Sequence, residues 1–220
     1  MIPLRDVIPS RTKPGVTIAL IVMNVAIFLF QSSLSERGQQ AFLYAFGMVP
    51  AYFTFISVLT SMFVHGGLAH LIGNLLFLWI FGDNVEDRLG HGRFLTFYLL
   101  CGFIAAMSQL LLDPDSTVPM VGASGAIAGV MGAYFLLYPQ SRILTVVFLI
   151  VFLDIVEIPA VFLLGVWFLL QVAHGALSSG APGGGVAFWA HAGGFAVGAL
   201  VGIYMKVRGS ANREYWTRGR

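Results

Sequence analysis

The sequence predicts an all-α membrane protein, a bundle of six transmembrane helices. Composition, hydropathy and block patterning all point there. Of the 220 residues, 58% are hydrophobic and 10% are charged, whereas a soluble domain carries about 25% charged residues. So few charges cannot cover a water-facing surface. Mean hydropathy is +0.86. The apolar residues fall into blocks divided by short polar or Pro- and Gly-containing stretches, and about 20 apolar residues suffice to cross a bilayer. The 220 residues hold several such blocks and no sizeable soluble domain. The expected organisation is a cytoplasmic segment at 1–15, a membrane domain at 16–206 and a basic cytoplasmic tail at 207–220.

The first span, Val16 to Phe30, is apolar except for Thr17 and Asn24. Arg5, Arg11 and Lys13 precede it in the manner of a signal sequence, but no small-residue cleavage site follows and further spans do, so it reads as retained. Residues 31–56 read as a loop. Its aromatic residues Phe42, Tyr44, Phe46, Tyr52, Phe53 and Phe55 suit the membrane interface. The second span covers Leu68 to Phe81, and Asp83, Glu86, Asp87, Arg88 and Arg93 mark a turn in water. The third covers Phe94 to Leu112, followed by a turn with Asp113, Pro114, Asp115 and Pro119. The fourth covers Ala123 to Tyr138 and stops at Pro139, which cannot continue a helix. Residues 142–157 are apolar but hold Asp154 and Glu157. They read as an interfacial or re-entrant connector, with a seventh span as the competing reading. The fifth span covers Pro159 to Ala176, a Gly-rich loop follows at 178–185, and the sixth covers Phe188 to Met205.

Charge placement decides between the two counts. Six spans with both termini inside put 11 of the 12 Lys and Arg residues on the cytoplasmic side, leaving only Arg37 outside. Basic residues favour that side, and a seventh span would send the basic tail across. A bare core of this kind suits a prokaryotic plasma membrane. The single cysteine, Cys101, reads as a small buried hydrophobe.

Polar side chains are costly in hydrocarbon and usually face the bundle interior with a purpose. His65, His70 and Asn74 lie at the start of the second span, Ser124 at the start of the fourth and His191 at the start of the sixth. These three spans run in the same direction, so the residues share a depth near the outer surface. His70 and Asn74 are spaced i, i+4 and share a helix face. Ser124 is followed by Gly125, Ala128 and Gly132, and His191 by Gly194, Gly198 and Gly202. Small faces let membrane helices approach backbone to backbone, which would bring serine and histidine together as an activated nucleophile. Each feature also has a plain structural reading: helix packing for the glycines, an N-cap for Ser124, loop ordering for His65. His91 reads as a solvated loop residue. His174, one turn beyond Gln171, reads as a structural polar contact.

At these positions the sequence resembles the rhomboid family of intramembrane serine proteases. The resemblance rests on H-x4-H-x3-N at His65, His70 and Asn74, on G-x-S-G at Gly122, Ser124 and Gly125, and on A-H-x-x-G-x-x-x-G from Ala190 through His191, Gly194 and Gly198. It covers about residues 16–206. It implies a six-helix rhomboid-like bundle open to the outer side, with Ser124 as nucleophile and His191 as general base. His70, Asn74 and the Ser124 amide would then hold the oxyanion, with His65, Gly122, Gly125, Gly194 and Gly198 in support. The implied substrates are single-span membrane proteins with a small residue at the cut in an unstable helix. No metal, organic cofactor or nucleic acid is implied. The sequence departs from the family at Ile56 to Leu59, where members often carry Trp-Arg, and at Ala128, where some carry an aromatic residue against the histidine. Without that aromatic residue, His191 is expected to be held less rigidly or by a neighbour such as Phe188 or Trp189.

No acid is placed to orient His191, so a dyad is expected, with ring orientation set by packing and turnover slower than in soluble triad enzymes. The 178–185 loop is a candidate cap over the site. Two other function classes compete: a non-catalytic rhomboid-like protein that binds transmembrane helices, which would be expected to lack the serine or the histidine, and a transporter or metal-binding protein, for which no acidic ligand lies near His70 and His191 and no HExxH motif is present.

Overall fold

The computed structural model describes residues 1–149, 152–178 and 186–208. In chain order its elements are β1 (Ile2–Asp6), α1 (Gly15–Ser32), α2 (Glu36–Phe46), α3 (Phe55–Ser61), α4 (Leu68–Leu89), α5 (His91–Leu112), α6 (Ser124–Leu137), β2 (Arg142–Leu149), β3 (Phe152–Pro159), α7 (Ala160–Ser178) and α8 (Phe188–Val207). Among the described residues, five helices, α1, α4, α5, α7 and α8, are long and apolar enough to cross a membrane. The expected fourth span is the exception. α6 has 14 residues and covers about 21 Å of a hydrocarbon core about 30 Å thick. Its residues from Gly125 to Tyr134 are all buried. A helix so enclosed by protein need not reach both surfaces, and its first residue can start below one of them.

Glycines set the spacing at the centre. A Cβ on Gly194 would fall on the carbonyl oxygen of Gly125, and one on Gly132 on that of Phe195. α6 and α8 therefore touch backbone to backbone, the approach that small-residue faces permit. α5 closes in behind, where a Cβ on Gly125 would stand 2.6 Å from the Ala105 methyl. Cys101 is a free, buried thiol on the same helix.

On α1 the buried polar residues Thr17, Asn24 and Gln31 recur every seven positions and form one stripe toward the bundle. The first turn of α1 has no side-chain cap. The Glu86 carboxylate supplies one, accepting from the Val16 and Thr17 amides at 2.9 and 2.7 Å, where the positive end of the helix favours an anion. The sequence reading of a watery turn is corrected here: α4 continues through Leu89, and Glu86 is buried within it. His91 is likewise no loop residue; it opens α5 with Nδ1 2.5 Å from Glu86 Oε1.

The all-α expectation is also corrected. Residues 142–159 are neither a re-entrant connector nor a span. Their described residues, 142–149 and 152–159, form two antiparallel strands, β2 against β3, with Arg142 opposite Pro159 and Val146 opposite Ile155. β1 pairs antiparallel with β2, Ile2 opposite Val146 and Asp6 opposite Ile143, completing a three-stranded sheet in the order β1-β2-β3. The β-branched residues Ile143, Thr145, Val146, Val147, Ile155, Val156 and Ile158 favour this extended state. The sheet docks at the C-terminal ends of α4 and α6. Asp6 accepts from Asn84 Nδ2 at 2.9 Å and from the Tyr134 hydroxyl at 2.5 Å, and the Tyr138 hydroxyl donates to the Asn84 carbonyl at 3.0 Å. Residues 1–15 are thus tied to the core.

The 31–56 stretch folds into α2, a single 3-10 turn at Pro50–Tyr52 and the start of α3. Ser35 caps α2 by accepting from the Gly38 amide, and Tyr44, Phe46, Tyr52 and Phe55 are exposed. The Gly-rich stretch beyond Ser178, proposed as a cap, and the tail beyond Arg208 lie outside the described residues.

Candidate active site

Ser124 is the first residue of α6, and Ala123 before it provides no side-chain cap. Its backbone N–H therefore lies outside the helical ladder. His191 sits in the first turn of α8, with its own amide donating to the Ala187 carbonyl. The close α6–α8 approach brings Ser124 Oγ to 2.7 Å from His191 Nε2, across 67 residues of chain. On the far edge of the ring, His191 Nδ1 lies 2.8 Å from Gln171 Oε1 on α7. An amide oxygen only accepts, so this contact is a hydrogen bond when Nδ1 carries the proton, the tautomer that leaves Nε2 to accept from the serine.

The ring face is bounded by Trp167, one turn before Gln171, with centroids 5.7 Å apart. This corrects the expectation that Phe188 or Trp189 holds His191. Phe188 packs instead on His174, at 5.3 Å, and Trp189 lies against Gly175.

The second group gathers around Gly122, whose φ of +110° belongs to the region glycine tolerates. A Cβ there would meet the His70 ring at 2.7 Å and Asn74 Nδ2 at 3.2 Å, so both side chains face the turn that leads into Ser124. Asn74 Nδ2 is buried without a hydrogen-bond partner among the described residues. The Gly66 amide approaches His70 Nδ1 at 3.5 Å, leaving Nε2 as the donor. His65 is fully buried and stacks edge-on against His70 at 5.2 Å. Burial, and then the proximity of His70, push its imidazole down to about 4. It is a neutral packing partner of His70, one residue removed from the turn.

Sequence reasoning missed the residues that hold this loop in place. The Gly122 amide donates to the Ser61 carbonyl at 2.8 Å, and Met48 and Met120 exchange two backbone hydrogen bonds. Thr60 Oγ1 donates to the Phe46 carbonyl at 2.7 Å. Gln31 Nε2 donates to the His65 carbonyl at 2.6 Å. These bonds anchor the region where the Trp-Arg pair is absent. Only the buried amide of Gln31 at the end of an apolar span carried a sequence signal. Beside Ser124 lies a cavity of about 20 Å³, lined in part by Met62, Gly102, Ala105, Gly122, Ala126 and Ala190.

A serine at a helix start, hydrogen-bonded to an imidazole on the adjoining helix of an apolar bundle, defines a class of multi-pass integral membrane proteins with a serine–histidine pair. Residues 52–208 match the rhomboid domain, and the chain belongs to the rhomboid family, which includes intramembrane serine proteases. It is similar to Rhomboid protein 1, mitochondrial, of Saccharomyces cerevisiae, 31% identical over 204 residues, covering 89% of this chain and 55% of that protein. It is 33% identical over 134 residues to Rhomboid protease GluP of Bacillus subtilis, covering 59% of this chain and 26% of that one. Over 121 residues it is 35% identical to Rhomboid-like protein 11, chloroplastic, of Arabidopsis thaliana, covering 55% and 41%. The chain thus spans about half or less of these relatives. They include mitochondrial and chloroplastic proteins, so the expectation of a prokaryotic plasma membrane draws no support from them.

Proposed function

We propose that this chain is a serine endopeptidase that cuts peptide bonds of single-span membrane proteins within the bilayer. The observation that carries the reading is the 2.7 Å contact between Ser124 Oγ and His191 Nε2, made by a ring whose other nitrogen is already hydrogen-bonded. Ser124 attacks the scissile carbonyl while His191 takes its proton. His70, Asn74 and the Ser124 amide hold the tetrahedral oxyanion, which water-excluded, pre-oriented donors do well. The Asn74 Nδ2, unpartnered among the described residues, supports that role. His191 then protonates the leaving amine, and water hydrolyses the acyl-enzyme.

The cavity beside Ser124 has room for about one water-sized group, which supports a preference for small side chains at the cut. A substrate must also unwind to expose a peptide bond, and Gly or Pro near the cut lowers that cost. The test is reconstitution in liposomes with a model transmembrane substrate, together with labelling by a fluorophosphonate. Wild type should cleave and label, and Ser124→Ala and His191→Ala should do neither. Labelling absent from wild type, or cleavage surviving Ser124→Ala, would discard the reading and leave a helix-binding role.

A further inference from the structure

His191 is held at three points, and only one of them is the serine. Its Nε2 faces Ser124 Oγ at 2.7 Å, its Nδ1 faces Gln171 Oε1 at 2.8 Å, and Trp167 tilts at 37° against its ring. Residues 167 and 171 are one turn apart on α7 and present neighbouring side chains on one face. We propose that Gln171 is a positioning residue that fixes the tautomer and rotation of His191, so the site works as a serine–histidine pair with a neutral amide as its third member. The inference rests on the proposed function.

The physical reason is specific to an amide. A neutral imidazole carries one proton, on either nitrogen. A proton on Nε2 would point at the serine hydroxyl and leave no lone pair to receive its proton. The Gln171 carbonyl accepts only from a protonated Nδ1, so it favours the tautomer that can act as a base. A carboxylate in that place would do the same, and a thioether or alkyl chain would not. Loss of such a partner leaves the ring free to turn and to exchange tautomers, an effect that in other enzymes reaches or exceeds the 10–100-fold scale. The amide differs from an acid in carrying no charge to place in an apolar bundle, where an unpaired carboxylate is costly.

Three proteins decide it in proteoliposomes: wild type, Gln171→Met and Gln171→Glu. For Gln171→Met, kcat and the rate of fluorophosphonate labelling should fall roughly 10–100-fold, with KM within about twofold and an unchanged Tm. Gln171→Glu, which restores an acceptor, should recover most of the lost rate. Solid-state nitrogen spectra of wild type labelled in histidine, with His191 assigned by difference from His191→Ala, should show the proton on Nδ1. A Gln171→Met enzyme as fast as wild type, a Gln171→Glu enzyme as slow as Gln171→Met, or a wild-type proton on Nε2 overturns the inference. The nitrogen spectra do not depend on either Gln171 variant folding. The proposed function fails separately, by wild-type protein that neither labels nor cleaves.

Discussion

A methyl group added to Gly198 would land on the carbonyl oxygen of Gly129. Because the obstructing atom is backbone, no side-chain rotation can make room, and α6 and α8 would have to part. Ser124 and His191 sit at the near ends of these same two helices, so their hydrogen bond depends on a contact made one to two turns deeper. Gly198→Val should therefore abolish fluorophosphonate labelling of Ser124 and lower stability by about 1–3 kcal/mol, the usual cost of overpacking. Gly73→Ala is the control. It adds a methyl where no described residue stands within 4 Å and should leave both readouts near wild type. Labelling of Gly198→Val at the wild-type rate would show that the serine–histidine contact does not need this helix approach.

Gln31 ties the end of α1 to the loop that enters α4. Its side chain donates to the His65 carbonyl at 2.6 Å and accepts from the His65 amide at 3.4 Å, at a site 3% exposed. Gln31→Leu keeps the bulk and removes both partners. A buried carbonyl left unpaired costs about 1–3 kcal/mol, so thermal unfolding in detergent should shift down accordingly. Cleavage should fall as well, because this loop leads directly to His70 and Asn74. An unchanged unfolding temperature would mean that water replaces the amide without loss.

Asp6 makes the sheet sensitive to pH. Burial pushes its carboxyl up from 3.8 to about 7, against the lowering effect of the Tyr134 hydroxyl and with added repulsion from Asp83. Asp83 and Asn84 face it from α4 and Tyr134 from α6. Between about pH 4 and 7 the folded chain keeps a proton that the unfolded chain has released. The stability this group contributes is therefore full below about 4 and lost as pH rises through about 7. Wild type should unfold at a lower temperature at pH 8 than at pH 5 (both values approximate), and Asp6→Asn should flatten the difference. Parallel curves for the two proteins would assign the pH dependence elsewhere.

The parts of this molecule that the sequence made legible are those where a rule of lipid solvation is broken. Ser124, His191, His70 and Asn74 stand out because apolar blocks leave them unexplained, and Gly194 and Gly198 because four-residue spacing fixes a face. The sheet stayed hidden because a short apolar run rich in Val and Ile has no period that separates a strand from an interfacial segment. β1 was hidden further, since its partner lies some 140 residues away, as Ile2 opposite Val146 shows. Glu86 was read as a water-facing charge because nothing in its neighbourhood announces that the first turn of α1 will satisfy it. Gln171 was noticed only as a neighbour of His174. Its contact with His191 joins two helices across 20 residues, and spacing along one helix carries no trace of it.

Met62 and Gly102 set the size of the cavity beside Ser124. A Cβ on Gly102 would stand 2.5 Å from Met62 Cε and 2.6 Å from Sδ, so the thioether lies flat on the bare backbone of α5. Two substitutions should move the cavity in opposite directions. Gly102→Ala pushes the flexible Met62 chain toward the cavity and narrows it. Met62→Ala opens it. One methylene in an apolar pocket is worth about 1–3 kcal/mol, or roughly 10–200-fold in kcat/KM. Wild type should prefer Ala over Leu at the cut residue of a model substrate. Gly102→Ala should sharpen that preference toward Gly, and Met62→Ala should reduce the Ala-over-Leu ratio by about tenfold or more. The readout is kcat/KM for a matched pair of substrates differing only at that residue, which cancels general losses of activity. Ratios that stay constant across all three proteins would place the side chain of the cut residue outside this cavity.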